Sequence, residues 1–244
     1  MSALRIKRDG PVLRVKIDKP ERRNAFDAEL IRELTEAFAD VGDARVVVLT
    51  GEGESFCAGA DIDWQRSAID LSYDENVEDA LRLYRMLAAV DGCPAPVVAW
   101  IQGYCLGGGC GLAACADIAV AADNAVFGFS EVKLGIIPAV ISPFVLAKIG
   151  SGAARRYFLT GERFGPDVAL RIGLVSEIGQ DVEAVVAELL TSGPAAVREA
   201  KRLVRPEPGD GRALAELAAR LRTSDEGQDG LRAFLERRKP GWTD

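Results

Sequence analysis

A mixed α/β core closed by a run of helices is the fold class that this 244-residue chain predicts. Three observations carry it. Residues 45–50 (RVVVLT) and 96–101 (PVVAWI) are β-branched runs of the kind buried on both faces of a sheet. A loop of small residues or glycines follows each run. Beyond Pro138 the pattern is helical alone, so strands and helices alternate first and helices finish the chain.

The elements follow in order. Residues 12–18 (VLRVKID) alternate with a strand's period of two, and 20–25 (PERRNA) form a polar loop. Asp27 stands where a helix N-cap belongs, ahead of Leu30, Ile31, Leu34, Phe38 and Val41 at helical spacing. After the first β-branched run, 51–55 turn and 56–63 (FCAGADID) form a loop of small side chains. The spacing predicts a helix over 76–90, with Val77, Leu81, Tyr84, Leu87 and Ala88 inward and Gly92 as its stop. The second run leads through 102–109 into a small-residue helix, 110–116, then short strands at 118–121 and 125–129. Ser142 and Pro143 read as N-cap and first helical residue, with Gly150 as a stop. Helices are expected over 152–160, 166–172, 182–190, 195–204, 212–222 and 226–238, with 206–211 (PEPGDG) as a linker.

Composition removes several classes of function. Apolar residues are 48% and charged residues 27%, a globular mixture. A net charge of −7, with both signs mixed along the chain, argues against nucleic-acid binding. No apolar run approaches the roughly 20 residues that cross a bilayer. The first 20 residues lack a signal-peptide core, so the expectation is a cytoplasmic protein away from membranes. Five cysteines with no C-x-x-C pair suggest free thiols and no metal site. Histidine is absent, which excludes Ser-His-Asp and Cys-His catalysis and histidine-ligated metals. Acid–base chemistry must rest on carboxylates, Lys, Tyr or Cys.

Three motifs remain. Gly107, Gly108 and Gly109 lie between a strand and a helix, where bare backbone N–H groups meet the positive end of a helix dipole. The spacing is neither a dinucleotide fingerprint nor a P-loop. Residues 56–61 (FCAGAD) expose backbone after the preceding strand. Glu131 ends an apolar strand, as a surface acid or a tuned one. Taken singly, each reads as ordinary loop chemistry. Together they are the parts needed to hold a carbonyl oxygen and move a proton beside it.

The segments 55–61 (SFCAGAD) and 101–109 (IQGYCLGGG) resemble the two oxyanion loops of the crotonase, or enoyl-CoA hydratase/isomerase, family. Residues 117–121 (DIAVA), 127–138, the loop 20–25 and the tail 234–242 (FLERRKPGW) continue the resemblance in order. It implies a spiral of ββα repeats over 1–190 and a helical oligomerisation segment over 191–244, forming homotrimers or dimers of trimers. The substrate would be an acyl-CoA thioester, with coenzyme A part of the substrate and no separate cofactor. The implied oxyanion hole is the N–H groups of Ala58 and Gly108, with Glu131 as the acid. Backbone near Arg23, Ala25, Ala60 and Ile62, with Asp61 beside it, would hold coenzyme A. Arg22 and Arg23 would meet its phosphates, and Phe234 and Arg237 would touch it from the tail.

One departure matters. Typical hydratases of this family carry a second glutamate, at the position matched here by Gly111. Gly111 and Pro138 are expected to border the acyl pocket, Gly111 leaving room there. Residues 130–143 (SEVKLGIIPAVISP) resemble bacterial methylglutaconyl-CoA and geranyl-type glutaconyl-CoA hydratases, whose substrates are branched and carry a second carboxylate. Three readings stay open: a hydratase, a double-bond isomerase needing one acid, or a coenzyme A-binding protein with little catalysis.

Overall fold

The computed structural model describes residues 2–204 and 210–243. Its strands are β1 (Leu4–Asp9), β2 (Val12–Ile17), β3 (Val46–Gly51), β4 (Val97–Ile101), β5 (Tyr104–Leu106), β6 (Ile118–Ala121), β7 (Val126–Gly128), β8 (Arg163–Phe164) and β9 (Glu177–Ile178). Its helices are α1 (Ala28–Ala39), α2 (Ile62–Ser67), α3 (Tyr73–Asp91), α4 (Gly108–Cys115), α5 (Ser142–Thr160), α6 (Pro166–Arg171), α7 (Glu183–Thr191), α8 (Pro194–Leu203), α9 (Gly211–Thr223) and α10 (Asp225–Glu236). None of these helices is long and apolar enough to cross a membrane.

The β-branched runs become central strands of a six-stranded sheet in the order β1-β2-β3-β4-β6-β9. All its pairs are parallel except β1 with β2. After each long strand the chain turns and lays a short extended piece beside its counterpart from the previous turn. Phe26 bridges Ala60, Cys57 bridges Cys105, and β5 pairs with β7 and β7 with β8. This is the expected spiral: a main sheet on one side, a ladder of short segments on the other, and helices between successive turns.

Local chemistry sets the helices. The Asp27 side chain accepts from the Leu30 N–H and starts α1, whose Leu30, Ile31, Leu34 and Phe38 are buried. Ser72 and Glu75 form a capping box at the start of α3, earlier than the spacing predicts. The inward face of α3 also differs. Met86, Leu87 and Val90 are buried, whereas Val77, Leu81 and Tyr84 are exposed, the Tyr84 ring resting on Phe144 at 5.7 Å. Gly150, with φ 66°, breaks α5 where a stop was expected. Ser142 is not its N-cap; it sits inside the first turn, and its Oγ donates to the Ala139 carbonyl at 2.8 Å.

Four residues of the expected linker, 206–209, lie outside the described residues. The C-terminal helices are tied to the core. Arg45 donates to the carbonyls of Leu190, Ser192 and Trp242. The buried Lys201 ammonium on α8 reaches Asp117 Oδ2 at 2.7 Å.

Candidate active site

The short parallel ladder brings the three sequence motifs together. Leu106 pairs with Gly128, so the residues leaving β5 and β7 emerge side by side, and the Gly107 N–H donates to the Gly128 carbonyl at 2.8 Å. On the other flank Cys57 N–H donates to Tyr104 O at 3.0 Å, and Leu106 N–H to Cys57 O at 3.0 Å. A Cβ on Gly109 would lie 2.3 Å from the Cys57 carbonyl oxygen. Only glycine lets the two backbones meet there. Between them opens a cleft of about 300 Å³.

The amides at its edge are not equivalent. Ala58, the expected donor, is engaged: its N–H donates to the Arg23 carbonyl at 3.0 Å. Hydrogen bonding inside the loop therefore takes that group away from a ligand. Two residues on, the parallel bridge to Phe26 is made by Gly59 O, at 2.7 Å, and Asp61 N–H, at 2.8 Å. In such a bridge the central residue's own N–H points away from the partner. That residue is Ala60, which lines the cleft, and its N–H meets no acceptor among the described residues. Gly108 also lines the cleft. It is the first residue of α4, where an N–H lacks an intrahelical acceptor and the helix dipole favours negative charge.

Glu131 opens the helical turn after β7 and reaches back over the glycines. A Cβ on Gly107 would lie 3.1 Å from its Oε1. Its Oε2 is buried and has no hydrogen-bond partner. Burial pushes its carboxyl above the usual 4.5, with only its own backbone N–H opposing. An acid held this way favours its proton and has a bare oxygen to exchange one.

Pro138 lines the cleft as expected, but Gly111 does not. The room beside Gly111 is filled. A Cβ there would stand 2.5 Å from Ile141 Cγ2, and it is Ile141 that borders the cleft.

The family profile for enoyl-CoA hydratase/isomerase matches residues 7–244. The chain belongs to the enoyl-CoA hydratase/isomerase family. A Thermus thermophilus relative that carries an enoyl-CoA hydratase name is 35% identical over 245 residues, covering 95% of this chain and 97% of that one. The crystal structure of an enoyl-CoA hydratase from Shewanella pealeana superposes with a TM-score of 0.91 at 37% identity, over 98% of this chain and 96% of that one. Pseudomonas aeruginosa AtuE superposes with a TM-score of 0.93 at 34% identity, over 99% and 100%. The chain is thus an enzyme of a family that comprises lyases and isomerases and binds acyl-CoA thioesters.

The residues expected to hold coenzyme A are dispersed. Ala60 lines the cleft, and Ala25 is buried and does not line it. Ile62 is 71% exposed. Asp61 is a helix cap, accepting from the N–H groups of Asp63 and Trp64 at the start of α2. Arg22 pairs with Asp63 at 3.0 Å and approaches Asp61 at 3.9 Å, so acids already face its charge. Arg23 has φ 51°, and its guanidinium lies over the Tyr104 ring, 5.3 Å from the centroid. It borders a second cavity with Glu54 and Tyr104 rather than the cleft. Phe234, 81% exposed, and Arg237 stand on and just after α10, outside the cleft.

Two residues escaped the sequence reading. Asn24 is fully buried with φ 57°; it accepts from Lys19 N–H and donates to the carbonyls of Glu52 and Ser55, which fixes the 20–25 loop against residues 52–55. Asp79 on α3 lines the cleft, but Trp64 Nε1, at 3.3 Å, and Arg82, at 2.7 Å, already donate to its Oδ1.

Proposed function

We propose that the enzyme hydrates an α,β-unsaturated acyl-CoA with Glu131 as its single acid–base group. The observation that carries this is the buried, unpartnered Oε2 of Glu131 beside the glycine turn that starts α4. In this reading the thioester oxygen accepts from the N–H groups of Ala60 and Gly108. Glu131 takes a proton from water as the water oxygen bonds to the β-carbon. The double-bond electrons move onto the thioester oxygen as an enolate, and the two N–H bonds strengthen as that charge grows. Glu131 then returns the proton to the α-carbon, so one water is added overall. Each such donor is worth on the order of 3 kcal/mol in the transition state.

The lining supports a hydrocarbon acyl group. Phe26, Leu83, Ile136, Val140 and Ile141 face the cleft, and no lysine or arginine does among the described residues. A glutaconyl-type second carboxylate would enter without a counter-charge, at a cost. The exposed Phe234 and Leu235 on α10 support self-association into trimers through this helix.

A second reading, double-bond isomerisation, is favoured by Ile141 filling the space beside Gly111. A 3-enoyl-CoA needs Glu131 only to carry one proton from the α- to the γ-carbon, without water. Separate incubation of but-2-enoyl-CoA and but-3-enoyl-CoA, followed by chromatographic separation of the isomers and mass spectrometry, decides between them. Gain of the mass of water from the first substrate is expected. Mass-neutral conversion of the second, with no gain from either, would reject hydration.

A further inference from the structure

Ile141, on the wall of the cleft, and Gly111 behind it form a matched pair. Gly111 is buried on α4, three residues past Gly108. Three residues span about 4.5 Å along a helix. The side chain beside Gly111 therefore lies within reach of the first few acyl carbons when the carbonyl is held at Gly108. That side chain is Ile141, only 3% exposed, whose Cγ2 and Cβ would stand 2.5 and 2.8 Å from a Cβ at position 111. Leu87 Cδ1 comes next, at 3.6 Å.

The wall is held from several sides. A β-branched side chain is stiff at χ1. The Ile141 carbonyl accepts from Val145 N–H at 3.1 Å at the start of α5. The turn before it is closed by Ser142 Oγ on Ala139 O.

We infer that Ile141 is a specificity-determining residue, setting the room for substituents on the acyl β-carbon in place of the side chain that α4 lacks. This rests on the reading that Gly108 holds the thioester carbonyl. One methyl more or less in an apolar pocket changes discrimination by roughly 10- to 200-fold.

The test is calorimetric binding of butanoyl-, 3-methylbutanoyl- and 3,3-dimethylbutanoyl-CoA to the wild type, Ile141→Ala and Ile141→Val. The affinity for the dimethyl compound relative to butanoyl-CoA is expected to rise at least about 10-fold in Ile141→Ala. A smaller rise is expected in Ile141→Val, which keeps the branching and guards against misfolding. Unchanged ratios in folded variants would overturn the assignment while leaving the acyl-CoA reading intact. Failure of the wild type to bind any of the three would overturn both. As a second arm, Gly111→Ala is expected to lower the Tm, and Ile141→Ala in the same chain to recover most of that loss. Additive losses would contradict the pairing.

Discussion

Asp117 and Glu131 make a natural pair: each is a carboxylate flanking a short apolar strand, Asp117 just before β6 and Glu131 shortly after β7, and each is partly buried. Their surroundings are opposite. Asp117 Oδ2 accepts from Val97 N–H and from the Lys201 ammonium, both at 2.7 Å, and its carbonyl accepts from Lys148 at 3.0 Å. Glu131 Oε2 is buried with nothing to accept from. A satisfied acid joins α8 to the sheet; an unsatisfied one faces a cleft between two open amides. The difference teaches that burial alone does not single out a candidate acid, and that a missing partner beside a cavity does.

The largest effect that would sharpen this contrast belongs to the satisfied acid. Lys201→Met leaves Asp117 without its cation and the Ala95 carbonyl without a donor. Urea unfolding is expected to show a loss of about 3 kcal/mol. Turnover by the folded fraction should stay within about twofold of wild type, and an equally large loss of turnover would put the pair inside the site.

A smaller effect is expected from the loop cap. Asp61→Ala removes the acceptor for the first amides of α2 and should cost about 1 kcal/mol. The same helix carries Trp64 into the cleft wall, so KM is expected to rise more than kcat falls. Steady-state kinetics with thermal unfolding would check both.

The smallest effect is the pH dependence of stability at Glu131. Burial favours the protonated carboxyl, so the folded chain keeps this proton to higher pH than the unfolded chain does. Stability from this group is full below the ordinary value of 4.5 and declines as pH rises through the raised folded value. Glu131→Gln removes the decline. The variant's stability relative to wild type is expected to climb between about pH 4.5 and neutrality, and a falling difference would show that a cation stabilises the carboxylate.

Much of the site was legible because backbone-exposing loops leave their mark as small residues. The glycines at 107–109 and the acid at 131 could each be read at the end of a strand, and the family resemblance brought them together. The choice between Ala58 and Ala60 could not, because it depends on which N–H the loop spends on Arg23 and which the bridge to Phe26 leaves outward. Gly111 misled for a similar reason: a missing side chain suggests space, yet Ile141, thirty residues away, fills it. The strands β8 and β9 have two residues each, too short for a period to show. β1 pairs only at the sheet edge, so five of its six residues are exposed and its sequence lacks a buried face. On α3 two apolar stripes compete, and tertiary packing against α1 and α4 selects the one through Met86, Leu87 and Val90.

The most direct measurement is the turnover of Glu131→Gln alongside its affinity for a saturated acyl-CoA. Glutamine keeps the shape but can neither take nor return the proton. Binding within about threefold of wild type and a loss of at least about 100-fold in kcat are expected. Wild-type turnover in this variant would contradict the role given to Glu131.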